Sequence, residues 1–133
     1  MACLVAIAAI GIASGGEKKG AEKKAEPPAA KAVSTAGEIV DMGCYMGHAA
    51  MGAKHADCAT KCISMGMPMG LLTDKGKLYL LTLPHENQDA YNQCKNMAGT
   101  QVQITGEISE KDGMKSISVT SVTAAPSTPA KKS

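Results

Sequence analysis

The sequence predicts a mostly β domain with two short helices, folded as a small, partly open five-stranded barrel. Three observations carry this. Residues 100–108 and 114–123 alternate between apolar and polar positions, as half-buried strands do. Turn residues (Asp74-Lys75-Gly76 and Lys111-Asp112-Gly113) separate short apolar runs at hairpin spacing. Two stretches instead carry apolar residues at helical spacing.

Residues 37–45, GEIVDMGCY, read as the first strand, with Cys44 at its end. Residues 46–53 are rich in Gly, Ala and Met and read as a loop. Residues 54–65, KHADCATKCISM, read as a helix that stops at Gly66, with Pro68 beyond it as a breaker. Residues 70–74 and 77–83 read as two strands. The second is apolar on both faces through Leu78, Tyr79, Leu80, Leu81 and Leu83, which predicts a central, buried strand. Residues 87–98 read as a second helix whose Ala90, Tyr91, Cys94, Met97 and Ala98 form one apolar stripe, closed by Gly99. Cys94 and Tyr45 read as core residues, and His85 and Asp57 as surface residues. The order β-α-β-β-α-β-β, with a helix between the later strands, suggests the oligonucleotide/oligosaccharide-binding (OB) barrel, the first helix being an insertion. A ferredoxin-like α+β sandwich is the alternative.

The 133 residues suit one ordinary domain, flanked by segments of other composition. Residues 3–13 are continuously apolar, too short a run to span a bilayer as a helix. With the small residues Ala13, Ser14 and Gly15 they read as a signal peptide over 1–15. Cys3 lies ahead of the apolar stretch, so it is not a lipoprotein acylation cysteine. Residues 16–36 are low-complexity Ala, Lys, Glu and Pro and read as a disordered linker, and 125–133 as a similar tail. The domain is thus expected over 37–124, exported to the periplasm or the extracellular space.

Composition excludes some functions. There is no Phe, no Trp and no Arg, and all 14 basic residues are Lys. A surface that stacks bases needs aromatics, and recognition of phosphate or guanine favours the arginine fork. Residues 37–124 hold seven Lys against nine Asp and Glu. A nucleic-acid partner is therefore disfavoured. No G-x-S-x-G, H-E-x-x-H, P-loop, Cys-x-x-Cys or C-x-x-C-H pattern occurs, which disfavours a hydrolase, a transferase, thioredoxin chemistry and attached haem.

The remaining signal is a cluster of cysteines. At 100° per residue His55, Cys58 and Cys62 fall within a sector of about 60° on the first helix. Cys44 can meet them from another element. Three thiols and one imidazole make a tetrahedral set for Zn(II) or a soft site for Cu(I). Met42, Met46, Met51, Met65, Met67 and Met69 crowd the same region. Thioethers suit Cu(I), which tilts the reading toward copper, with Met46, Met69 and His48 as extra donors. Each Met also reads as adaptable core filler in a chain without Phe or Trp. The expected role is copper handling or trafficking between a metal donor and an acceptor protein.

Two alternatives compete. In the first, a disulfide staples an OB-like module that binds a protein or an envelope saccharide. Cys58 and Cys62, one helical turn apart, stand about 5–6 Å apart at Cβ, whereas a disulfide needs about 3.5–4.5 Å. The bridge would then join Cys44 to one of them and contribute roughly 3 kcal/mol. In the second, the thiol left beside His55 does redox chemistry.

The pattern Cys44-Tyr45, His55-x-x-Cys58-Ala59-x-x-Cys62-x-x-x-Gly66-x-Pro68-x-Gly70-Leu71, followed by Gly99 and Val102-x-Ile104-Thr105-Gly106, resembles a group of small exported bacterial OB-like proteins over about residues 37–123. The resemblance implies export and the barrel fold. The Cys58-x-x-x-Cys62 spacing is also similar to copper-delivery proteins of cytochrome oxidase assembly. Those have a thioredoxin fold with a distant His, for which this chain is too short and wrongly ordered.

Overall fold

A computed structural model describes residues 32–126. The expected signal peptide, the linker up to residue 31 and the tail from 127 lie outside the described residues.

The chain runs β1 (Ala32–Asp41), α1 (Met42–His48), a 3-10 turn (Ala53–His55), α2 (Ala56–Ser64), β2 (Met69–Leu72), β3 (Leu78–Thr82), α3 (Asp89–Lys95), β4 (Gln101–Lys111) and β5 (Met114–Ala124). The strands close in the order β1-β2-β3-β5-β4, with β4 returning to β1. Every pairing is antiparallel except β3 with β5. The protein is therefore mostly β, a five-stranded ring consistent with a partly open OB-like barrel. The closure is narrow, because β3 meets β5 only through Leu80–Thr82 against Ser116–Ser118. The ferredoxin-like arrangement is excluded by this ring.

The alternating strands behave as expected. Val102 and Ile104 of β4 and Ile117 and Val119 of β5 are fully buried, while Gln101 and Gln103 face out. They pack with Ile39, Met69, Leu71 and Leu81 into an aliphatic core. Ala59 and Ile63 of α2, and Ala90 and Cys94 of α3, join the same core, so both helices lie on the barrel.

Three expectations are corrected. There are three α-helices among the described residues rather than two, because β1 ends at Asp41 and Met42–His48 turns into α1. Cys44 is thus on a helix, not at a strand end. The first strand starts at Ala32, not Gly37, since residues 32–36 find a ladder partner in β4 despite their small, polar character. Finally, β3 is buried on one face only: Tyr79 and Leu81 point inward, Leu78 and Leu80 are half-buried, and Leu83 is exposed. A five-strand ring has one interior, so the outward Leu78 and Leu80 are only partly covered.

Candidate metal centre

The site is built by the connection between β1 and β2, one of the loop regions OB barrels use for ligands. Its local geometry starts at Asp41. This residue ends β1 in an extended conformation, and its Oδ1 accepts a hydrogen bond from the Gly43 N–H at 2.8 Å. That is an N-cap, and it starts α1 in a segment whose Gly43 and Gly47 are poor helix formers. The helix closes at Ala49, in the left-handed conformation with φ of 54°, whose N–H donates to Tyr45 O at 2.8 Å. Gly52, just beyond, donates its N–H to the buried Glu38 carboxylate of β1. The loop is thereby fastened to the barrel before α2 begins.

α1 carries Cys44, and α2 carries Cys58 and Cys62 on successive turns. The three Sγ atoms lie within 4.8 Å of one another, so these cysteines can hold a metal ion. Sulfurs around a tetrahedral ion with bonds of roughly 2.3 Å sit about 3.8 Å apart. Small side-chain rotations therefore bring the set onto a soft or borderline ion. Cys58 is exposed and Cys44 and Cys62 are half-buried, with all three thiols free. One side of the centre is open to solvent.

The histidines stand outside the 4.8 Å group. His55 is the residue before α2, with φ of −106° and ψ of 0°, so the helical periodicity does not set its direction. His55 and His48 nevertheless line, with Asp41, Cys44 and Cys58, a cavity of about 20 Å³. That is room for one water-sized occupant. The methionines divide. Met69 is fully buried in the core, while Met46, Met51, Met65 and Met67 are exposed. Tyr45, expected in the core, is half-exposed on α1. Cys94 is core, as expected, and burial pushes its thiol up to about 11.

The electrostatics of the metal-free centre favour protonated thiols. Cys44 is pushed up to about 12, first by the Asp41 carboxylate beside its thiol, then by desolvation and the negative charge nearby. Cys62 is also raised, chiefly by desolvation and next by Cys58. A metal ion that displaces those protons inverts this preference.

Asp41 is the residue that sequence reasoning missed. Its signal was present, an Asp directly ahead of a helix-sized segment. The run GEIVDMGCY reads equally well as one strand, and that reading hid the cap. Comparison of the chain with protein-family models, with curated proteins and with solved structures finds no match.

Proposed function

We propose that the protein binds a thiophilic transition-metal ion, copper or zinc, outside the cytoplasm and passes it between a donor and an acceptor protein. The observation that carries this is the convergence of Cys44, Cys58 and Cys62. His55 is the proposed fourth ligand, with His48 as its neighbour on the same cavity wall. The exposed face of Cys58 suits exchange better than a closed structural site does. The apolar segment at 3–13 supports export, and the density of methionines in the sequence around the cysteines supports copper among the cargoes.

The test is titration of the reduced full chain with Zn(II) and with Cu(I) under anaerobic conditions. One equivalent binds. Cys44→Ser, Cys58→Ser and Cys62→Ser each weaken it by more than about 100-fold, beyond the loss from an outer partner, while Cys94→Ala leaves it unchanged. Absence of uptake by the reduced chain contradicts the proposal.

The same convergence supports one second reading, in which oxidation joins Cys44 to Cys58 or Cys62 and ties α1 to α2 in a stapled binding module. Mass analysis of natively purified protein separates the two. Bound metal on reduced thiols supports the first, and a chelator-insensitive bridge the second.

A further inference from the structure

Asp41 is 1% exposed, yet its Oδ2 has no hydrogen-bond partner among the described residues. Its other oxygen is occupied by the Gly43 N–H. Buried carboxylate oxygens are rarely left in this state, and a cation is one partner that satisfies them. The residue also faces the small cavity shared with Cys44, Cys58 and His55.

We propose that Asp41 makes this centre selective for a divalent, borderline-soft ion of the Zn(II) class over Cu(I), with Oδ2 as the oxygen that faces the bound ion. The inference rests on the three-thiol reading and refines it. Donor chemistry is the first reason. Carboxylate oxygen is an ordinary Zn(II) ligand, whereas Cu(I) selects thiolate and thioether sulfur. Charge is the second. Each ligating thiol releases its proton to solvent when the ion binds, which leaves three thiolates around a buried carboxylate. Three thiolates and the carboxylate carry four negative charges, so a divalent ion leaves one fewer of them uncompensated in a poorly solvated wall than a monovalent ion does. The cavity lining is the third. Among the described residues it consists of Asp, Cys, His and Ala, with no methionine, and Met46 and Met65 extend into solvent.

The experiment compares the reduced full chain with Asp41→Asn, which keeps an oxygen to cap Gly43 and removes the charge, and with Asp41→Ser, which keeps a capping hydroxyl on a shorter arm. Zn(II) and Cu(I) affinities are measured by competition with chromophoric chelators, and Co(II) spectra report the donor set. The expected result is a loss of about tenfold or more in Zn(II) affinity in both variants, a Cu(I) affinity within about threefold of the parent, and a shift of the Co(II) ligand-field bands with sulfur charge transfer retained. Thermal melts of the metal-free variants check folding. Equal losses for both ions, or no loss for Zn(II), overturn the inference while leaving the three-thiol centre standing. A parent chain that takes up neither ion overturns both.

Discussion

Cys44 concentrates the chemistry of the centre in one side chain. Its thiol is held at about 12 in the metal-free fold, above the ordinary value of 9.0. The unfolded chain releases this proton near 9, and the fold keeps it until near 12. The stabilisation from the protonated thiol is therefore complete below about pH 9 and fades as pH rises toward 12. Cys94, raised to about 11 by burial, acts in the same direction. The melting temperature of the reduced, metal-free chain is expected to fall across this alkaline range, and less steeply in Cys44→Ala. A flat profile in the parent contradicts the assignment. At this scale, Cys58 and Cys62 were legible because i,i+4 spacing on a helix is a local property. Asp41 was not, since burial of its oxygen depends on where α1 turns back over the barrel.

The elements around the centre are short and are held by a few specific contacts. α1 ends with Ala49 in a left-handed conformation that favours glycine. Ala49→Gly is expected to stabilise the domain by about 0.5–1 kcal/mol with metal uptake unchanged, as read by chemical denaturation. A destabilisation contradicts the cap geometry. α2 starts against Gly99, whose φ is +73° and whose N–H donates to Ile39 O at 2.7 Å. A Cβ there would stand 2.7 Å from Ala56 Cβ, at the first residue of α2. Gly99→Ala is therefore expected to destabilise by about 1–3 kcal/mol and to weaken metal uptake by displacing Cys58, measured by the same titration. Parent-like stability would show that α2 is not seated this way. Sequence places Gly99 at the end of a helix over 87–98, whereas α3 ends at Lys95 with Asn96 as its cap and Gly99 lies in the turn beyond it. Its second role, as the floor under α2, involves a contact across more than forty positions that no local pattern encodes.

Across the whole molecule, the barrel supplies a rigid base and the β1–β2 connection supplies the chemistry. The alternating strands β4 and β5 and the core stripe of α3 were legible, because each is written in a local period of hydrophobicity. The parallel contact of β3 with β5 that closes the ring was not, since it joins distant segments through a short register. That closure also explains why β3, though apolar on both faces, buries only one. The convergence of three sulfurs from α1 and α2 is the claim on which the function depends. X-ray absorption at the metal edge of the loaded full chain tests it most directly. The account predicts three sulfur neighbours at roughly 2.3 Å and lighter donors, from His55 and the Asp41 carboxylate, at roughly 2.0–2.2 Å around a zinc ion; a shell with fewer than three sulfurs would contradict it.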